Sequence, residues 1–376
     1  MQNSEVCELK NRDDYHESCC RLQAAWKGYR LRKVMLETRN EYLTIFKEIE
    51  SEFKLMSASI KSGDPDPVFI IRSGHESVSV LKFCCLGENK EEVLISGTQH
   101  GLVQVWDLTT KRVKFKFQVN SGLLNLDVIL LNQIDYIVSH ERKGKVVFWQ
   151  VSNNEVVMKK STNVHHVGFC PLHIFKQRDD YWMVYPSSEQ SEFSVTKANL
   201  DSTDQDVYIL TPEENLGMVM HVKLCSKQNT LFAVAGYEDG SVYVWNVFTS
   251  SCHGKRIHTD PVMCLTVDCV GEKILTGSAD NKLVVSKINN DVQFEEHATD
   301  ETKTSGYSSC DVRNDGRIVA CGGWDGKIRI FGWKKLKRLA ILKYHSESVN
   351  CLHFGANRLL AAGSKDGKIT LWDVYK

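Results

Sequence analysis

Three absences narrow this chain of 376 residues before any motif is read. It has no excess charge of either sign: 47 Lys and Arg balance 47 Asp and Glu, which removes the global electrostatic reason to expect a duplex-binding or membrane-coating protein. It has no Cys-x-x-Cys pair among its 13 cysteines, an odd number that includes the neighbours Cys19 with Cys20 and Cys84 with Cys85. That usage argues against a secreted disulfide framework and predicts reduced, mostly buried thiols. It has no apolar run near the ~18 residues of a membrane span, and its opening, MQNSEVCELKNRDD, carries no apolar signal core. A soluble protein of the cytoplasm, the nucleus or both is expected, without nucleic acid or membrane as partner. The hydrophobic content, 42%, excludes global disorder.

Residues 1 to about 60 lack proline, hold one glycine, and are rich in Glu, Lys, Arg and Leu, which lose least on entering a helix. Tyr42, Phe46, Ile49, Phe53 and Met56 recur every three or four positions, the stripe of a helix with one buried face. Gly63, Pro65 and Pro67 then stop the pattern. The expected organisation is a helical arm (1–61), a linker (62–67) and a second region (68–376).

From Val68 the grammar changes to short β-branched and aromatic runs separated by Gly, Asp and Asn. VQVWDL, VVFWQV, VYVWNV, LVVSKI, IRIFGW and ITLWDV align without gaps, placing Trp106, Trp149, Trp245, Ser286, Phe331 and Trp372 in one column, with Thr196 a looser member. Successive members lie 43, 47, 49, 41, 45 and 41 residues apart, close to the ~40–45 residues of a four-stranded propeller blade. Six residues before the column stand His100, Lys143, Asp239, Asp280, Asp325 and Asp366; three residues earlier again stand Gly97, Gly236, Gly277, Gly322 and Gly363, with His140 the exception. This predicts a hairpin in fixed register, its Gly and Asp supplying turn conformations that β-branched residues resist. The fold class that follows is all-β, a seven-bladed β-propeller preceded by an α-helical arm.

These columns resemble the WD40 repeat family, over about residues 68–376. In that family a turn Asp, a His before the first strand, a Ser or Thr on the second strand and the Trp form a buried hydrogen-bonded set. The resemblance carries those roles onto His75, Ser96 and Trp106 in the first blade, Asp239 and Trp245 in the fourth, and His258, Thr276 and Asp280 in the fifth. Asp325 in the sixth blade, and His345, Asp366 and Trp372 in the seventh, take the same roles. No blade is complete on this alignment: the first has His100 for the Asp, the fifth Ser286 for the Trp, and the seventh Ala362 for the hydroxyl. The chain stops a few residues after the third strand of the last blade, while Val68–Arg72 precedes the first blade without one of its own. The opening strand is therefore expected to close the ring as the outer strand of the last blade.

The Ser, His and Asp columns repeat at blade spacing, as a structural set does and a single triad does not. Asp325-Gly326-Lys327 and Asp366-Gly367-Lys368 lack the upstream Gly and following hydroxyl of a phosphate loop, and His165-His166 has no partner at metal-ligand spacing. No catalytic, cofactor or metal site is assigned, no small-molecule substrate is expected, and the chain reads as a non-enzyme that holds other proteins on its propeller faces.

In the arm, Leu22, Gln23, Lys27, Gly28 and Arg32 fill every slot of a pattern that resembles the IQ motif. From Arg21 to Lys33 there are five basic residues and no acidic one, while Leu22, Trp26 and Tyr29 share a helical face. The resemblance implies binding to calmodulin or a calmodulin-like light chain. The plain alternative is a helix with a solvated basic face.

The blade sequences AGYEDGSVYVWNV, CGGWDGKIRIFGWKKLKRLAILKYHS and LLAAGSKDGKITLWDVY, with VGFC and the opening DPVFIIRSG, resemble the guanine nucleotide-binding protein subunit beta-like protein 1 family, to which the fungal ASTRA-associated propeller subunit is related. That resemblance implies a scaffold or adaptor linked to the co-chaperone system that matures phosphatidylinositol-3-kinase-like protein kinases. The alternative is a G-protein β-like subunit paired with a γ-type helix. The apolar stripe of the arm, sustained only from Tyr42 to Met56, is short for such a coiled coil.

Overall fold

The computed structural model describes residues 65–374, apart from 75, 88, 153–154, 165–167, 188, 201–205, 269, 290–291 and 303–305. These residues lie in the compact unit Asp64–Lys376 and form 28 strands in seven four-stranded antiparallel sheets. The proposed IQ residues Leu22, Gln23, Lys27, Gly28 and Arg32, the rest of the predicted arm, His75 and the His165-His166 pair lie outside the described residues.

Strand β1 (Phe69–Arg72) comes first. Blade 1 is β2 (Val78–Leu86), β3 (Glu91–Thr98), β4 (Leu102–Asp107) and β5 (Arg112–Gln118). Blade 2 is β6 (Leu123–Leu131), β7 (Ile134–Glu141), β8 (Lys145–Ser152) and β9 (Glu155–Asn163). Blade 3 is β10 (His173–Gln177), β11 (Asp180–Pro186), β12 (Phe193–Lys197) and β13 (Val207–Leu210). Blade 4 is β14 (Val219–Lys227), β15 (Thr230–Tyr237), β16 (Ser241–Asn246) and β17 (Cys252–Arg256). Blade 5 is β18 (Val262–Val267), β19 (Lys273–Ser278), β20 (Lys282–Ile288) and β21 (Phe294–Glu301). Blade 6 is β22 (Tyr307–Val312), β23 (Ile318–Gly323), β24 (Lys327–Gly332) and β25 (Lys337–Lys343). Blade 7 is β26 (Val349–Phe354), β27 (Leu359–Ser364) and β28 (Lys368–Asp373), completed by β1 from the other end of the chain.

The closure has full register: Phe69 faces Leu371, Ile70 faces Thr370, Ile71 faces Ile369 and Arg72 faces Lys368. Val68 donates its N–H to the Leu371 carbonyl at 2.7 Å, and Ser73 Oγ donates to the Gly367 carbonyl at 3.0 Å. Ile71 is 3% exposed, so the closing strand contributes apolar burial as well as backbone pairing.

The core is divided among the seven blade interfaces, and at five of them an aromatic column residue packs on the preceding blade. Trp106 lies with Ile369 and Leu371 of blade 7, Phe331 with Leu275 and Val285 of blade 5, and Trp372 with Ala320 and Ile330 of blade 6. Thr196 takes the column place in blade 3: it pairs with Met183, three residues before Pro186, as Trp245 pairs with Ala233, three residues before Gly236.

The glycine column has a different cause from the one expected. Its members lie inside the second strands rather than at the turns, and a side chain there would strike the next blade. A Cβ at Gly236 would stand 2.5 Å from Val262 Cγ1, and one at Gly363 would stand 2.6 Å from Val78 Cγ1 across the closure. The left-handed turn residue is instead the one after the Asp column, Gly101 at φ 90° and Asn281 at φ 65° being two instances.

Candidate functional site

The polar residues singled out from the sequence sit at the blade interfaces, and the structure assembles them unevenly. Blade 7 holds a continuous relay. Trp372 Nε1 donates to Thr370 Oγ1 at 2.8 Å, Thr370 Oγ1 meets His345 Nε2 at 2.9 Å, and His345 Nδ1 meets Asp366 Oδ2 at 3.0 Å. Because the carboxylate only accepts, Nδ1–H is the donor in the His345–Asp366 contact. Burial works to raise the Asp366 carboxyl, but the His345 hydrogen bond and the N–H groups of Lys368 and Ser346 hold it below the usual range. The apparent gap at Ala362 is thus filled from the third strand, by Thr370.

Blade 5 has the same head without the indole. His258 Nδ1 lies 3.0 Å from Asp280 Oδ2 and its Nε2 lies 2.9 Å from Thr276 Oγ1. Burial depresses His258 despite its Asp280 partner, so the ring is neutral near pH 7.

Blade 6 departs further. Asp325 takes no histidine; it accepts a two-pronged pair from the buried Arg329, at 3.0 Å from Nη1 and 2.7 Å from Nη2, and the guanidinium lies 5.7 Å from the Tyr307 ring. In blade 1, Trp106 Nε1 donates to Ser96 Oγ at 2.8 Å, whereas His100 sits exposed on the turn, 3.7 Å from Glu76.

In blade 4, Asp239 closes its own hairpin through the N–H and hydroxyl of Ser241, at 2.9 and 2.8 Å. Trp245 is held by packing: it stacks near Tyr243 and lies edge-on to Phe193, while its indole N–H, beside the Tyr237 hydroxyl, falls short of hydrogen-bond geometry.

The axis of the ring holds a second polar set, which the sequence reading missed. Lys82, Asp127, His173, Lys223, Thr266, Asp311 and His353 occupy one register position, each opposite the second-strand residue two before the glycine column. Several staple adjacent inner strands. Lys82 pairs with Asp127 at 3.1 Å, His173 Nδ1 accepts the Leu224 N–H at 3.0 Å, and His353 Nδ1 accepts the Phe83 N–H at 3.3 Å. Asp311 Oδ2 accepts the Phe354 N–H at 2.7 Å.

Burial lowers Lys223 and pushes His173 and His353 well below the ordinary histidine range, while it raises Asp311 to about 6 against the pull of Phe354 N–H, Lys223 and Lys82. Burial also works to lower Lys82, but Asp127 overrides it and the ammonium ends up raised. The ring position shares a location and not a residue type, so the only available signal was the offset from the glycine column.

Two acidic residues of β21 tie it to the outer strands of its neighbours: Glu296 pairs with Lys255 of blade 4 at 2.7 Å and Asp300 with Arg338 of blade 6 at 2.6 Å. Of the nine described cysteines, all free, five are buried, and burial raises thiols such as Cys225, to about 12. Among the described residues no group of three or more His, Cys, Asp or Glu side chains is placed to hold a metal ion.

Comparison with known proteins agrees with this geometry. A model of the WD domain, G-beta repeat, matches residues 250–285, 293–332 and 336–373. Each match takes the outer strand of one blade plus the first three of the next, the offset that leaves blade 7 to be completed by β1. Over 318 residues the chain is 32% identical to mouse guanine nucleotide-binding protein subunit beta-like protein 1, covering 83% of this chain and 97% of that protein. It is 27% identical over 378 residues to ASTRA-associated protein 1 of Schizosaccharomyces japonicus (83% and 99% covered) and 26% identical over 377 residues to that of Schizosaccharomyces pombe (83% and 99%). Among solved structures, the β-propeller domain of Cps50 (Swd1) from Myceliophteria thermophila superposes with a TM-score of 0.68 at 16% identity, covering 83% of this chain and all of that one, a likeness of fold. The chain belongs to the WD40-repeat family that includes guanine nucleotide-binding protein subunit beta-like protein 1, as a seven-bladed propeller scaffold.

Proposed function

We propose that this chain is a scaffold of protein-complex assembly, a subunit of an ASTRA-type complex that serves co-chaperone-dependent maturation of phosphatidylinositol-3-kinase-like protein kinases in the cytoplasm, the nucleus or both. The observation that carries the reading is the end-to-end match to proteins named ASTRA-associated protein 1, 99% of whose length is covered in two fission yeasts. The physical support is a ring whose recurrent polar groups are spent on holding blades together, which leaves loops and rims for partners.

Affinity purification of the full chain from cells, with mass spectrometry, tests it. Recovery of ASTRA-type components, together with a fall in the steady level of these kinases on depletion of the chain, is the expected result. A stoichiometric complex with a γ-type helical chain and none of those components would favour the G-protein β-like reading, which the name of the mouse relative suggests. Capture of a calmodulin-like light chain by the arm rests on Leu22, Gln23, Lys27, Gly28 and Arg32 alone. Titration with calmodulin, with and without calcium, should alter Trp26 fluorescence, and no change in either state would discard that part.

A further inference from the structure

The turn between the third and outer strands of blade 6 carries charge that its counterparts lack. In blade 1 the residue after the aromatic column is Asp107, whose carboxylate accepts the N–H groups of Thr109 and Thr110 at 2.7 and 3.3 Å. In blade 4 it is Asn246, which accepts those of Phe248 and Thr249 at 3.1 and 3.3 Å. Each turn is thus closed by its own side chain and ends on a left-handed residue, Lys111 at φ 58° and Ser250 at φ 54°. Blade 6 has Gly332 in the closing place, and Lys334-Lys335 where the others have Thr109-Thr110 and Phe248-Thr249. Trp333, 3% exposed, and Leu336, 4% exposed at φ 49°, anchor this turn in the core, while Lys334, Lys335 and Lys337 stand exposed.

Further cations gather around Trp333. Its backbone N–H donates to the carbonyl of the exposed Arg317 at 2.8 Å, and the Lys273 ammonium lies 5.8 Å from its ring. Three carboxylates that border the turn are committed elsewhere: Asp268 to the Trp333 indole N–H at 3.2 Å, Asp315 to Arg313 at 2.7 Å, and Asp300 to Arg338 at 2.6 Å. Among the described residues no carboxylate is ion-paired with Arg317, Lys334, Lys335 or Lys337. These four charges repel one another and bind nothing within the ring. Beside them Leu339 is the extra residue of a bulge, where Ile330 faces Ala340 and Phe331 faces Arg338, and it is 42% exposed.

We propose that this turn is a docking site for a short acidic segment of a partner protein. Its carboxylates take charge-assisted hydrogen bonds from Arg317, Lys334, Lys335 and Lys337, and an apolar side chain of the segment lies on Leu339. The surroundings favour a short peptide over a nucleic acid. Strand β21 borders the turn, since His297 Nε2 donates to the Lys334 carbonyl at 3.3 Å, and it exposes Glu295, Glu296 and Glu301. Those carboxylates would repel a long polyanion that crossed from blade 6 to blade 5. This assignment rests on the scaffold reading only in taking a protein as partner, and its probe is a synthetic peptide, so either can fail alone.

The test is fluorescence anisotropy of the full chain titrated against two labelled peptides, Glu-Asp-Glu-Leu-Glu-Asp-Glu and Lys-Lys-Lys-Leu-Lys-Lys-Lys. The acidic peptide should bind with a Kd of about 100 μM or below at low salt and about tenfold or more weakly at ~0.5 M salt, and the basic one should not bind over the same range. Lys334→Glu combined with Lys335→Glu should weaken the acidic peptide about tenfold or more without moving the melting temperature, because both side chains are exposed and unpaired. The same charge change at two exposed positions of blade 2, Lys143→Glu with Lys159→Glu, should alter binding less than about twofold. Leu339→Ser should weaken it about threefold through lost apolar contact. Absence of binding at low salt, full affinity in the blade 6 double variant, or an equal loss in the two double variants would overturn the proposal. So would displacement of the peptide by a DNA duplex at equal charge concentration, or a dimer in sedimentation that the blade 6 double variant abolishes, since nucleic acid or a second copy would then be the occupant.

Discussion

Blades 3 and 7 are both four-stranded and share one register, yet they hold together by different means. In blade 7 an unbroken line of hydrogen bonds runs from Trp372 through Thr370 and His345 to Asp366. Blade 3 has Thr196 in the tryptophan column and Pro186 in the glycine column, so its column offers no indole N–H to such a line. The difference follows from chain connectivity. The four strands of blade 3 are consecutive in sequence, whereas blade 7 is assembled from both ends of the propeller and depends on side chains and backbone pairing to stay shut. The line that reaches the indole thus stands in the blade that the chain itself connects least.

The widest separation between the two blades should come from a charge on the outer strand. Ile71→Asp buries a carboxylate against Ile369 in blade 7 and should cost about 3–5 kcal/mol in chemical denaturation. Val207→Asp on the outer strand of blade 3, already 47% exposed, should cost less than about 0.5 kcal/mol. Similar midpoints for the two variants would break the comparison.

Thr370→Val comes next, because it leaves both the Trp372 N–H and the His345 ring without their shared partner; about 1–3 kcal/mol should be lost.

The smallest contrast should be with pH, because the axial position is histidine in both blades, His173 and His353. Both are depressed by burial, and His221 is lowered to about 3, so their stabilisation is present above the unfolded value of 6.5 and is lost as pH falls below it. Asp311 works in the opposite sense. With its folded value raised to about 6 from 3.8, its contribution is present at the acid end of that interval and is lost as pH rises through 6. Three histidines outweigh one carboxyl, so stability should fall on acidification from pH 6.5. His173→Asn and His353→Asn should each flatten that fall by a similar amount in denaturation curves taken across the interval.

The blade count and the closing strand were legible because each is fixed by residues that recur at constant offset, such as Trp106, Trp149, Trp245 and Trp372, and by a leftover strand, Val68–Arg72, with one place to go. The seventh polar set was misread because a hydroxyl was sought only on the second strand. Thr370, two residues before Trp372 on the third, points to the same side by strand alternation and serves equally well. Arg329 was missed for a similar reason: an arginine four residues after Asp325 replaces a histidine that lies some twenty residues before the Asp in blades 5 and 7. The glycine column was found for a wrong reason, since its space requirement is set by Val78 or Val262 in the next blade and appears only once blades are packed.

The two ends of the propeller form one blade, and on this account they open as one. Native-state hydrogen exchange read on segments 68–72 and 368–373 addresses it most directly, because Val68 N–H is bonded to the Leu371 carbonyl at 2.7 Å. The two segments should exchange together, in a single opening that tracks global unfolding as denaturant is added. Complete exchange of 68–72 while 368–373 stays protected would contradict the closure.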